Sequence, residues 1–111
     1  MILRGEVYWA DYRAAVGAEV RKTRPAVVVS RDAHNAHMGT VTVVPLSSSS
    51  GREFLFEVAI PAGTVGDGRA CRAKTHQVGS VDKSRLGRRI GRLPSGVMRL
   101  INASLRLHLG L

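Results

Sequence analysis

Two short β-branched runs constrain this chain more than anything else in it. Pro25-Ala26-Val27-Val28-Val29 and Thr40-Val41-Thr42-Val43-Val44-Pro45-Leu46 are apolar at almost every position. β-Branched side chains favour extended backbone, and a strand without a polar face must be covered on both sides. Both runs therefore read as buried strands, the first of them central in its sheet. Arg24 precedes the first run, and the second leads into Ser47-Ser48-Ser49-Ser50. A cation and a hydroxyl at the ends of two rigid strands can converge on a phosphate.

The remaining segments are short and punctuated. Glu6 to Asp11 reads as a first strand, followed by a polar, basic loop over residues 13–23. Asp32 is placed to cap one turn of helix, Ala33 to His37, which Gly39 ends. The serine tract from Ser47 to Gly51 reads as a loop. Glu53 to Ile60 is a further strand, stopped by Pro61, and Arg69 to Ala73 another after the glycine-rich turn 63–68. Asp82 opens a single turn, Lys83 to Leu86, and Arg89 to Leu93 is a last short strand. The period then changes. From Ser95, the residues Val97, Ile101, Leu105 and Leu109 recur at helical spacing, with Pro94 just before and Gly110 just after. That stripe reads as core rather than as an interface. At 111 residues the pattern predicts one domain, a mainly β, barrel-like small sheet closed by a C-terminal amphipathic helix.

Charge is distributed unevenly. Residues 1–68 carry seven basic and seven acidic side chains, whereas residues 69–111 carry ten basic ones against Asp82 alone, which is the whole net charge of +9. A basic surface of this kind attracts polyphosphate by counterion release. It also suits an acidic protein partner or plain solvation. No apolar run is long enough to span a membrane, and the start lacks the apolar segment of a signal peptide. Cys71 is the single cysteine, so no intrachain disulfide forms. A cytoplasmic chain is expected.

Most catalytic designs are absent. His34, His37, His76 and His108 are scattered, the carboxylates do not cluster, and there is no Walker loop or dinucleotide fingerprint. No metal or cofactor is expected. RNA permits chemistry without one: its 2′-hydroxyl attacks the adjacent phosphate and expels the 5′-oxygen, leaving a 2′,3′-cyclic phosphate. The protein then has to stabilise negative charge on the phosphoryl oxygens. A guanidinium makes paired contacts to such oxygens, and a serine hydroxyl adds another donor. Arg24 with Ser47 is the minimal version. Arg24 has a second reading, an exposed ion pair with Glu19, and Ser47 a second reading as an ordinary loop serine.

At this point the residues match a family. Arg4-Gly5-Glu6-Val7-Tyr8-Trp9-Ala10-Asp11, Gly17-Ala18-Glu19, Arg24-Pro25 before an apolar strand, Asp32 with Asn35, Pro45-Leu46-Ser47-Ser48, and Gln77 with Val81-Asp82-Lys83-Ser84-Arg85-Leu86 occur in the order found in the MazF/PemK toxin endoribonucleases. The chain resembles that family along nearly its whole length. The resemblance implies an SH3-like small β-barrel of the CcdB/MazF type with a terminal helix, a homodimer, and sequence-specific, metal-independent cleavage of single-stranded RNA. It also implies inhibition by a MazE-like acidic antitoxin. The family's catalytic arginine falls on Arg24 and its threonine or serine on Ser47. Substrate-binding positions fall on Glu19, Asn35, Ser48, Lys74 and Gln77.

The chain departs from the family pattern in three places. Val20-Arg21-Lys22-Thr23 replaces a flexible Gly-Gly, Ser47 replaces the commoner threonine, and His76 stands where many relatives carry an acidic residue. Histidine suits proton transfer near neutral pH, so His76 is either a catalytic proton carrier or a surface residue that contacts substrate. Two other functional classes remain open on sequence: a non-catalytic gyrase poison of the CcdB type, and an RNA-binding small barrel without activity.

Overall fold

The computed structural model describes residues 1–12, 23–48, 56–65 and 68–111. Among the described residues, seven strands and two helices follow one another as β1 (Glu6–Asp11), β2 (Thr23–Val28), α1 (Asp32–His37), β3 (Thr40–Ser48), β4 (Glu57–Ile60), β5 (Cys71–Lys74), β6 (Gly79–Asp82), β7 (Leu86–Arg92) and α2 (Ser95–Leu109). Single 3-10 turns cover Thr75–Gln77 and Lys83–Arg85. All strand pairs are antiparallel, in the order β4-β5-β3-β2-β1-β7, with β6 also on β3. The architecture is mainly β with a C-terminal helix, as the sequence predicts. The SH3-like sheet is open, however: among the described residues no pair joins β4 to β7.

β3 is the axis of the fold because both of its faces are used. Alternation sends Val41 and Val43 to one side, where they meet Tyr8, Ala10, Ala26, Val28 and Val81. Val44 and Leu46 point the other way and join Val7, Val27, Ile60 and Ala73 beneath α2. The helix contributes Met98 and Ile101, with Val97 and Leu105 half-buried beside them. Gly110 ends it in the left-handed region at φ 72°, its N–H bonding to the Arg106 carbonyl.

The opening Arg4-Gly5-Glu6 segment turns out to be a structural clasp. Gly5 takes φ +90°, which a side chain would resist, and links two strand ends through Gly5 N to Val28 O (2.8 Å) and Leu93 N to Gly5 O (2.9 Å). Arg4 donates from Nε to the Val29 carbonyl (2.8 Å) and from Nη2 to Asn102 on α2. Buried Glu6 accepts from Leu3 N (2.7 Å) and the Tyr8 hydroxyl (2.9 Å), and pairs with Arg89 Nε at 2.5 Å. Burial pushes its carboxyl up, but the Leu3 N–H, the Tyr8 hydroxyl and Arg89 outweigh that and hold it below its ordinary value. Burial and the neighbouring carboxylate push the Tyr8 phenol up to about 12.

Three local expectations change. Asp32 does not cap α1; its Oδ1 accepts from Arg4 N at 2.7 Å, and Arg31 takes the capping position without a side-chain bond. Ser47 and Ser48 belong to β3 rather than to a loop, because β5 supplies ladder partners, Ser47 to Arg72 and Ser48 to Cys71. β6 has no counterpart in the sequence reading, since Gly79-Ser80-Val81-Asp82 is too polar to signal a strand. Asp82 does cap the turn after it, its Oδ1 accepting from Ser84 N at 2.9 Å. No helix among the described residues is long and apolar enough to cross a membrane.

Candidate functional site

The site is made where β2 and β3 stop pairing. Their ladder runs Val28↔Val43, Val27↔Val44 and Ala26↔Pro45, and goes no further. Pro25 and Pro45 have no N–H to donate, so the ladder ends beside them. Beyond that point β2 stays with β1, through Trp9↔Pro25 and Ala10↔Arg24, while β3 turns to β5. A cleft of about 300 Å3 opens between the two departing strand ends. Thr23, Arg24 and Pro25 form one lip, and Leu46, Ser47 and Ser48 the other. Trp9, Val65, Cys71 and Ile90 make an apolar wall, and Arg69 adds a second cation at the rim.

Arg24 is the unusual residue of this cleft. Its Nε is buried and has no hydrogen-bond partner. A buried donor left unsatisfied costs about 1–3 kcal/mol, and an acceptor seated in the cleft would relieve that cost at Nε. Ser47, half-buried on the facing lip, offers a hydroxyl. An anionic group lodged between the lips meets a permanent charge on one side and a neutral donor on the other, which is the donor set a phosphoryl group accepts.

The remaining sequence-predicted residues separate. Ser48 lines the cleft with Ser47. Asn35 does not: it is buried, its Oδ1 accepts from the Ser30 hydroxyl, and its Nδ2 donates to the Ser30 carbonyl at 3.0 Å. Its amide secures the turn after β2. Lys74 Nζ lies 4.0 Å from Glu57 Oε2, and the same carboxylate has Arg72 Nη1 at 3.9 Å. His76 is exposed on the Thr75–Gln77 turn with Gln77, away from the cleft walls. Buried Thr75 pins that turn, donating to the Phe56 carbonyl (2.7 Å) and lying 2.6 Å from the Ser104 hydroxyl of α2. Arg72 is the residue opposite Ser47, and His76 follows four positions later, beyond the end of β5. Glu19 and the replaced segment 20–22 lie outside the described residues. Among the described residues no three His, Cys, Asp or Glu side chains gather as a metal site.

Sequence reasoning did not place Trp9, Val65, Arg69, Cys71 or Ile90 at the site; they come from three stretches, β1, the approach to β5 and β7.

Comparison with known proteins identifies the family. The endoribonuclease MazF9 of Mycobacterium tuberculosis is 38% identical over 116 aligned positions, covering all of this chain and 98% of the relative. Among solved structures, a mycobacterial endoribonuclease in complex with its cognate antitoxin superposes with a TM-score of 0.80 at 28% identity, covering 100% of this chain and 97% of that one. MazF from Deinococcus radiodurans superposes with a TM-score of 0.86 at 26% identity, covering 99% and 97%. The family model for the PemK-like, MazF-like toxins of type II toxin-antitoxin systems matches residues 3–109, and the chain belongs to that family.

Proposed function

We propose that this protein is an endoribonuclease toxin that cuts single-stranded RNA at specific sequences without a metal ion. The scissile phosphate sits between the lips of the cleft. The 2′-oxygen forms a bond to phosphorus as the bond to the 5′-oxygen breaks. The 2′-hydroxyl loses its proton and the departing 5′-oxygen gains one, giving 2′,3′-cyclic phosphate and 5′-hydroxyl ends. Arg24 and Ser47 donate to the non-bridging oxygens, whose charge grows in the transition state. The observation that carries this reading is the buried, unpartnered Arg24 Nε in a cleft shared with Ser47. A passive RNA-binding barrel would hold a phosphate with the same donor, and cleavage distinguishes the two.

Ser48 and Gln77 are substrate contacts in this reading. Lys74 is a cation steadied by Glu57, and His76 binds flanking RNA rather than carrying the proton. The basic C-terminal two-fifths of the chain attracts both RNA and an acidic, MazE-like antitoxin. A homodimer completes the assembly, for which the outward face of α2, with Leu100 59% and Leu107 58% exposed, is a suitable surface. The decisive experiment incubates purified protein with mixed single-stranded RNA in EDTA and maps the ends. Cleavage to 5′-hydroxyl ends that Arg24→Ala abolishes is the expected result. A requirement for divalent metal, or unchanged cutting by the variant, overturns the mechanism.

A further inference from the structure

The cleft holds more apolar surface than a phosphate can use. Trp9, Pro25 and Ile90 form a hydrophobic wall within the same 300 Å3 that Arg24 and Ser47 border. Trp9 remains 37% exposed although its neighbours in β1, Tyr8 and Ala10, are buried. The β7 residue packed against it is Gly87: a Cβ there would stand 3.5 Å from the Trp9 Cβ, and glycine supplies no side chain to cover the indole. A partly exposed indole beside a guanidinium has the chemistry that single-stranded nucleic acids recognise, a π-surface for the base next to a cation for the backbone.

We propose that Trp9 is a specificity-determining residue: its indole stacks on the nucleobase adjacent to the cut, within the cleft, and fixes which phosphate reaches Arg24. The occupant is one base of single-stranded RNA. The cleft is of a size for a single nucleotide, at the small end of ligand pockets, and its polar lip fits a phosphate attached to that base. The proposal rests on the endoribonuclease reading.

Trp9 is the only tryptophan in the chain, so its emission reports on the cleft directly. The probe is an RNA oligonucleotide carrying the mapped cleavage site, with 2′-O-methyl groups to block attack. Saturating binding should quench Trp9 emission, and the same oligonucleotide made abasic beside the cut should bind without quenching. In cleavage assays Trp9→Ala should raise KM about 10- to 100-fold, with Trp9→Phe restoring most of the loss and Trp9→Leu little of it. Emission unchanged at saturation, equal quenching by the abasic strand, or Leu rescuing as well as Phe each overturns the stacking role. Quenching by the antitoxin but not by RNA overturns it too, and makes the wall an anchor for a protein side chain. If the protein cuts RNA while any of these occurs, only this inference fails. If it neither binds nor cuts RNA, the endoribonuclease reading fails and takes the inference with it.

Discussion

Two regions of this protein treat their buried polar groups in opposite ways. In the frame, made of the clasp at the N-terminal segment, the turn after β2 and the Thr75–Gln77 turn under α2, these groups have partners: Glu6 with Leu3, Tyr8 and Arg89, Asn35 with Ser30, Thr75 with Phe56 and Ser104. At the end of the β1–β2 pair, Arg24 Nε and the Tyr12 hydroxyl are buried with none. Satisfied groups lock a conformation, whereas an unsatisfied one stores a cost that a ligand can relieve. The difference separates frame from site more sharply than residue type does. Arg4, Glu6 and Asn35 belong to the family motifs as Arg24 does, yet the bonds they make hold the fold.

The widest test of this contrast is Arg24→Ala. It should lower the cleavage rate by roughly 100- to 1,000-fold or more, the scale for losing a transition-state donor, while leaving the melting temperature equal or higher. A large fall in melting temperature would place Arg24 in the frame. On the frame side, Ile101→Ala removes a fully buried side chain between α2 and the sheet. It should cost about 2–5 kcal/mol in denaturant titration, with the activity of the remaining folded molecules intact. Selective loss of activity would mean that α2 communicates with the cleft.

Glu6→Gln should be milder, about 1–3 kcal/mol through its charged hydrogen bonds, and its effect should depend on pH. The folded carboxyl lies below its ordinary value. The stability it contributes is therefore complete above the unfolded-state value and fades as pH falls through the folded one. Wild type and variant should diverge near neutrality and converge in acid; divergence that persists in acid would show that packing, not charge, matters at this position. The smallest effect is expected of Tyr12→Phe. Removing an unpartnered hydroxyl should raise stability by about 1 kcal/mol and leave cleavage unchanged. Loss of activity would move Tyr12 from strained neighbour to part of the site.

Much of the frame was readable because its causes are local. Glu6–Asp11 and Ser95–Leu109 form where side-chain period and the flanking Pro94 and Gly110 place them. β6 was not readable, since Gly79–Asp82 is extended only because Thr40–Val43 offers it an edge. Ser47 looked like the start of a serine loop for the same reason: its strand character comes from Arg72, 25 positions away. Asn35 fits the family pattern and gave no hint that its amide would be spent on Ser30.

Arg24 and Ser47 were identifiable as a chemical pair from sequence and resemblance, because a guanidinium and a hydroxyl keep their donor character wherever they sit. Composition likewise determined the basic C-terminal surface, since charge is additive along the chain. Only the tertiary structure decided that the pair would face each other. That depends on two prolines ending a ladder, on β3 leaving β2 for β5, and on Trp9 and Ile90 arriving from β1 and β7 to wall the gap. Burial and hydrogen-bond satisfaction belong to the whole packed chain, so whether a polar residue is frame or site is settled by its neighbours in space.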